Sequence, residues 1–362
     1  MNSDYIKYIK LFSGIVHGKK AFTGPYLVQL DLTNSCNTRC LYCMNYSEWG
    51  LKKEYSKDWG NIFLGFDTIR RIVPELKSVG VKEIDVTGNG EPFMHPDIIK
   101  IIKFIKENGM RCVVRTNGLL IDTKIINQLF DIGLNGIDLS LWAGSPEGYA
   151  ETHPMESPES FSRINNWLMR ITELRAHEQY KKLKFKLKIL NVIARHNYSR
   201  IEEMLSFAYK VKADYVMFKY LLEEFFKEDA LKQIALTDED KKQVSQIWKK
   251  SVYKNKVRNN LGYFIKAFGK SFRVDNCYLG WLYSRLTVTG EVVPCCGCLG
   301  HDMGNFKEHS FHEIWFGQRY NEFRKKSRNI NSDSYFMDCS CSKICPHSLP
   351  IISLNDLLHH MC

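Results

Sequence analysis

Several features are missing from this sequence, and each absence narrows what it does. No run of eighteen apolar residues occurs in the 362-residue chain, so no membrane-spanning helix is expected. The N-terminal stretch carries Asp4 and Lys7, and its apolar run from Leu11 to Val16 is broken by Ser13 and Gly14, which makes a poor signal peptide. A cytoplasmic protein without a membrane partner is the expectation. No nucleic-acid module and no arginine-rich tract accompanies the formal charge of +11. That charge reads as a lysine-rich solvated surface, or else as a match to an anionic substrate or acidic partner, with no nucleic acid bound. The length suffices for one large domain and a smaller one.

What the chain has in excess is cysteine. Twelve is many for a cytosolic protein, and in a reducing compartment metal ligands are favoured over disulfides. Three cysteines lie at 36–43, one is Cys112, and eight lie between Cys277 and Cys362. This clustering points to a metal site toward each end of the chain.

Residues 4–17 read as a basic amphipathic helix with Tyr5, Ile9, Phe12 and Val16 on one face. That face is short, so packing on the domain is expected rather than docking on a membrane. From 26 to 220, strand-like and helix-like segments alternate. The strands are expected at Leu27–Thr33, Glu83–Thr87, Arg111–Asn117, Gly136–Trp142, Lys184–Ile193 and Asp214–Tyr220. The helices are expected at Phe66–Ser78, Pro96–Asn108, Thr123–Ile132, Ser160–Glu178 and Arg200–Val211. Six such repeats read as a parallel sheet or open barrel with right-handed crossovers. Residues 143–154 read as a loop, 221–270 as a helical bridge, and 271–362 as a separate small domain whose cohesion metal would largely supply.

Asn34–Met44 reads N-S-C-N-T-R-C-L-Y-C-M. Three thiolates from Cys36, Cys40 and Cys43 can hold three irons of a cubane and leave the fourth open, as a substrate-activating cluster requires. Zinc is the alternative, but it wants a fourth ligand and no nearby histidine supplies one. The segment follows a strand, where barrel enzymes place their chemistry.

C-x3-C-x2-C after a first strand, with Tyr42 before its last cysteine, resembles the signature of the radical S-adenosylmethionine (SAM) superfamily. Gly88-Asn89-Gly90-Glu91-Pro92 follows the second strand, Thr116-Asn117-Gly118 the third and Asp138-Leu139-Ser140 the fourth, and each resembles the family's motif at that place. The resemblance covers 26–220 and implies an α/β fold, a partial (β/α)6 barrel. It implies a [4Fe–4S] cluster with an open iron on Cys36, Cys40 and Cys43, which cleaves SAM to a 5′-deoxyadenosyl radical. An external donor such as flavodoxin or ferredoxin would supply the electron. It also implies SAM contacts from Tyr42, from Gly88, Asn89, Gly90 and Glu91, and from Asn117 and Ser140. Independently of the family, glycines at 88 and 90 let backbone approach a ligand closely.

Near the C-terminus, Cys277-x12-Gly290-x4-Cys295 resembles the opening of SPASM/twitch auxiliary-cluster domains, which are small and α+β. That resemblance implies an auxiliary [4Fe–4S] cluster on Cys277, Cys295, Cys341 and Cys345, with Cys339 as the alternate. The middle C-x2-C-x5-C element of two-cluster members is absent, which favours one auxiliary cluster over two.

The alternation of the strands leaves one face apolar and the other polar. The polar face carries Gln29, Asp31, Asp85, Thr87, Arg115, Asn117, Asp138, Ser140, Trp142, Lys186, Lys188 and Lys219. A barrel interior built only for stability would hold Val, Ile and Leu. Some of these charges will pair with each other, such as Asp138 with Arg115. Arg115, Lys188 and Lys219 are candidates to hold an anionic group of a polar substrate or the SAM carboxylate. A sugar, cyclitol, nucleotide or peptide fits such a lining. The short stretch ahead of the barrel favours a small molecule over a peptide. Oxidation assisted by the auxiliary cluster is the leading reading. A redox-neutral epimerase is the first alternative, with Cys296, Cys298 or Cys362 as hydrogen-atom donor. A peptide-modifying maturase and a non-catalytic iron–sulfur protein are the others.

Overall fold

The computed structural model describes residues 3–51, 57–266, 268, 276–298, 300–330 and 336. Six strands form its centre: β1 (Leu27–Asp31), β2 (Glu83–Thr87), β3 (Arg111–Thr116), β4 (Gly136–Ser140), β5 (Lys186–Ile193) and β6 (Tyr215–Tyr220). They pair in chain order and all in parallel. After α1 (Ser3–His17), the crossovers carry α2 (Phe66–Ser78), α3 (Ile98–Glu107), α4 (Thr123–Ile132), the pair α5 (Pro146–Thr152) and α6 (Pro158–Ala176), and α7 (Ile201–Lys210). The protein is a partial (β/α)6 barrel, one of the two arrangements its alternating pattern allows and the one the family resemblance implies.

Side-chain alternation builds the layers. Val28, Leu30, Ile84, Val86, Ile137, Leu139, Leu187 and Ile189 are buried against the helices. The helices answer at three- and four-residue spacing, with Ile69, Ile72, Val73 and Leu76 on α2 and Ile98, Ile101, Ile102 and Ile105 on α3. The outer edge of β6 is covered by the segment ahead of α10 (Leu261–Lys266). Val216 N–H donates to Arg258 C=O, and the Asn260 side chain bonds both the N–H and the C=O of Phe218 at 2.7 and 2.9 Å. The bridge also holds α8 (Glu228–Ile234) and α9 (Asp238–Lys250).

The sheet runs across the boundary read at residue 271. After α11 (Leu279–Leu282), β7 (Tyr283–Leu286) pairs in parallel with β1, and β8 (Glu291–Val293) and β9 (Gly304–Asn305) extend it antiparallel. Gly290, at a φ of 106°, makes the β7–β8 turn. With α12 (Phe311–Phe316) and α13 (Gln318–Lys326), this segment continues the barrel's apolar core: Leu286, Val292, Phe306, Phe311, Trp315, Tyr320 and Phe323 are buried in the same cluster as Val28 and Ile84, while Trp281 packs on Leu11 of α1. Among the described residues, packing on the barrel contributes to the cohesion of this segment.

Two further expectations are corrected. Residues 146–152 form α5 inside the stretch read as a loop; Ser145 caps it through Gly148 N–H, with Pro146 in its first turn. The α1 face of Tyr5, Ile9, Phe12 and Val16, expected to pack inward, is exposed.

Candidate active site

The loop after β1 is held by its neighbours' backbones. Leu32 N–H donates to Thr87 C=O, Gly90 N–H to Thr33 C=O and Glu91 N–H to Ser35 C=O, the last at 2.8 Å. The two glycines of the turn after β2 make this contact possible. A Cβ on Gly88 would lie 2.3 Å from the Thr33 carbonyl oxygen, and one on Gly90 would lie 1.9 Å from that of Ser35. Both glycines thus let the turn pack closely on the cysteine loop itself. Glu91 is buried, and its carboxylate accepts from Thr116 Oγ1 at 2.6 Å, Asn117 N–H at 2.7 Å and Phe93 N–H at 3.1 Å. Asn117 in turn donates from Nδ2 to Asn37 Oδ1 at 2.9 Å. The motifs after three successive strands form one hydrogen-bonded frame around Cys36.

Burial pushes the Cys36 thiol up to about 11 and raises Cys40 well above its ordinary value. Repulsion from Glu91 and Cys43 adds to this at Cys36, and repulsion from Cys43 and Cys36 at Cys40. Cys36 and Cys40, which burial keeps from ionising, stand with Cys43 as a thiol donor set of the kind that multivalent cations relieve. Among the described residues no three such side chains converge closely enough for a single ion. The fit to a cluster therefore rests on donor type and a shared, framed loop.

An aromatic wall closes one side of this loop. Tyr42 stacks on Trp142 at 5.5 Å, and Trp142 lies 5.4 Å from the His153 ring. Trp142 has a φ of 59°, unfavourable for a bulky residue, and its carbonyl accepts from Asn197 Nδ2 at 3.1 Å. His153 stacks on Tyr149 at 4.1 Å, and burial lowers it to about 4, so it stays neutral. Leu41 N–H donates to Thr152 C=O, which ties α5 to the cysteine loop.

Arg115, Asp138 and Lys188 share one register level across β3, β4 and β5. Asp138 lies 3.6 Å from Arg115 and 3.1 Å from Lys188. Burial opposes its charge, but Lys188 and Arg115 outweigh that and hold Asp138 low. Asp85, 3.7 Å from Arg115, is pushed up by burial and by Glu83. Lys219 stands further along β6, opposite Val192 on β5. Burial, then Arg115, lower it to about 8. Lys219 has no carboxylate within 4.0 Å among the described residues, whereas both other candidate cations do. Ser140 lies at the end of β4, two residues beyond Asp138.

The C-terminal segment adds residues to this lumen that sequence reasoning missed. Arg285 on β7 grips Asp31 Oδ2 from Nε and Nη2 at 2.9 and 2.6 Å, and its Nη2 also reaches Asn89 Oδ1 at 2.8 Å. Asn89 donates onward to Asn34 Oδ1, two residues before Cys36. Tyr283 donates to Gln29 Oε1 at 2.6 Å. The signal was present as alternation in Tyr283–Val288 ahead of the Thr289-Gly290 turn. Of the proposed thiol donors, Cys296 lies in the electrostatic surroundings of Arg115, Lys219, Tyr283 and Arg285, while Cys298 is buried in the apolar core. Cys295 is buried just past β8, and Cys277 N–H donates to Ser327 C=O at 2.7 Å. Cys339, Cys341, Cys345 and Cys362 lie outside the described residues.

This framed three-cysteine loop at the mouth of a partial barrel defines a class. The radical SAM superfamily model matches residues 30–208, and an iron–sulfur cluster-binding SPASM domain model matches 277–345. The chain belongs to the radical SAM superfamily and carries a C-terminal SPASM domain, which implies a [4Fe–4S] cluster, SAM and an auxiliary cluster. Among characterised proteins, it is 24% identical to the AdoMet-dependent heme synthase of Methanosarcina barkeri, over 89% of this chain and 90% of that one. Streptococcus suis SuiB bound to S-adenosylmethionine shares the fold at a TM-score of 0.59 and 16% identity, over 90% of this chain and 72% of that one. The enzyme anSMEcpe with bound AdoMet does so at 0.59 and 19%, over 87% and 84%. No helix among the described residues is long and apolar enough to cross a membrane.

Proposed function

We propose that this radical SAM enzyme oxidises a polar small molecule through an anionic group held by Lys219, with the SPASM domain as electron acceptor. The observation that carries the reading is the contrast among the lumen cations. Arg115 and Lys188 are engaged with Asp138, whereas Lys219 has no carboxylate partner among the described residues. A partly buried ammonium next to Arg115 is costly unless an anion joins it. When bound, the cluster and SAM supply the 5′-deoxyadenosyl radical that removes a substrate hydrogen atom. The chain's own residues then orient: Lys219 anchors the anion, and the Arg115–Asp138–Lys188 row fixes polar groups beside it. The relative named AdoMet-dependent heme synthase spans both domains, which supports SAM-dependent chemistry on a small molecule.

Lys219 is charged below about 8 and neutral above it. The KM for an anionic substrate is therefore expected to rise as pH increases through that value. Lys219→Gln should raise KM about ten- to a hundredfold at neutral pH, the loss of a charged hydrogen bond, and should abolish this pH step. SAM cleavage without substrate should be unchanged. A variant with wild-type KM and the same pH profile would refute the anchor. The test needs a panel of carboxylated, phosphorylated and neutral polar compounds, scored by stimulated 5′-deoxyadenosine release.

The place of Cys296 beside Lys219 and Arg115 supports a second reading, a redox-neutral epimerase. Turnover in deuterated water separates the two. Oxidation should yield a product two hydrogens poorer with no carbon-bound deuterium. A product of substrate composition carrying one deuterium, and lost in Cys296→Ala, would replace the oxidative reading with the epimerase.

A further inference from the structure

Helix α1 is fastened by one face only. Lys7 is buried and donates from Nζ to the Gly24 and Pro25 carbonyls at 2.5 and 3.0 Å and to Thr23 Oγ1 at 3.1 Å. Leu11 packs with Trp281 and Leu282, and Gly14 lies so near Trp281 that a Cβ would meet its Cδ1 at 2.9 Å. These contacts fix the rotation of the helix. The opposite face carries Tyr5, Ile9, Phe12 and Val16, which are 59%, 47%, 55% and 64% exposed. They are spaced four, three and four residues apart, one continuous stripe on a helix. Ile6 is also exposed, as is Phe22 just past the helix.

The charge along this stripe is predominantly positive, with Asp4 at its start the one acid of the helix. No Asp or Glu occurs from Tyr5 to Phe22, while Lys10, Lys19 and Lys20 are exposed there and the whole chain carries +11. A surface helix with large apolar side chains on one side, lysines on and beyond it and a single acid, Asp4 in its first turn, has the chemistry of a helix lying in a membrane interface. A protein partner would have to bury the stripe and also neutralise the flanking lysines. An anionic bilayer does both over any orientation of its lipids.

We propose that α1 docks the protein on the surface of an anionic lipid bilayer, with Tyr5, Ile9, Phe12 and Val16 entering the headgroup boundary and Lys10, Lys19 and Lys20 meeting lipid phosphates. The placement of α1 has a consequence. Its anchors, Thr23–Pro25 and α11, precede the N-terminal ends of β1 and β7, whereas the cysteine loop leaves the C-terminal end of β1. Docking by α1 therefore leaves the mouth of the barrel facing water, open to a soluble substrate.

Vesicle co-sedimentation of the full chain tests this, with pure phosphatidylcholine against phosphatidylcholine containing phosphatidylglycerol. Wild type should bind the anionic vesicles, and added salt should weaken the binding. Ile9→Ser/Phe12→Ser should lower the partition coefficient at least about tenfold, and Lys10→Glu/Lys19→Glu/Lys20→Glu should lower it comparably. Both variants should keep wild-type melting and SAM cleavage, since these side chains are exposed and far from the cysteine loop. Binding unaffected by the apolar substitutions overturns the proposal. So does an absence of wild-type binding, including the case where gel filtration finds a dimer that Ile9→Ser/Phe12→Ser dissociates, which would make the stripe a protein–protein contact.

Discussion

Replacing Cys36, Cys40 or Cys43 by alanine is expected to reduce reductive SAM cleavage to background while the chain stays folded. The barrel core rests on Val28, Leu30, Ile84 and their helix partners, none of which lies in the cysteine loop. The loop itself is held by backbone bonds from Gly90 and Glu91 that do not involve a thiol. Iron content should fall by one cluster's worth, with the auxiliary iron retained, because Cys277 and Cys295 lie in another part of the fold. Far-ultraviolet dichroism and melting should remain close to wild type. 5′-Deoxyadenosine formed at the wild-type rate by such a variant would overturn the assignment of these three ligands.

Much of the barrel was legible because local chemistry and periodicity agreed. Helix α4 begins and ends where the sequence places it: Asp122 caps it through Ile125 N–H, and Gly133 closes it with a φ of 81°. Strand β2 was bounded to the residue, since Ile84 and Val86 alternate with Glu83, Asp85 and Thr87. What could not be read depends on distant partners or on choices between equivalent faces. Strand β7 has four residues, and it pairs with β1 from the other end of the chain. Helix α5 has seven residues, too few for a period to stand out, although Ser145-Pro146 marks its start. In α1 the pattern identified the apolar stripe correctly, but burial went to the other side. The oxygens of residues 23–25 accept the Lys7 ammonium, a match that no periodicity encodes. At the site, the residues with chemistry were visible in the motifs, whereas the bonds that join one motif to the next were not.

The largest of those hidden bonds predicts the second strong effect. Asp31 and Arg285 are both buried and form a two-pronged ion pair, so removing one partner strands the other's charge. Asp31→Asn should destabilise the protein by about 3–5 kcal/mol, the cost of breaking a buried pair. Asp67→Asn, at an exposed ion pair on α2, should change stability by about 1 kcal/mol or less. The effect should reach SAM binding as well. Arg285 holds Asn89, and Asn89 holds Asn34 beside the cysteine loop, so both Asp31→Asn and Arg285→Lys should weaken SAM affinity. Lysine keeps the charge but lacks the planar fork that reaches Asp31 and Asn89 together. Asp31→Asn/Arg285→Met separates the two roles. Removing both charges should recover much of the stability lost in the single variant. SAM affinity should stay low, because Asn89 remains unheld. Equilibrium unfolding and SAM titration of the reconstituted variants read the two quantities independently. Full recovery of SAM affinity along with stability would mean that Arg285 only braces the sheet and does not position the turn at Asn89.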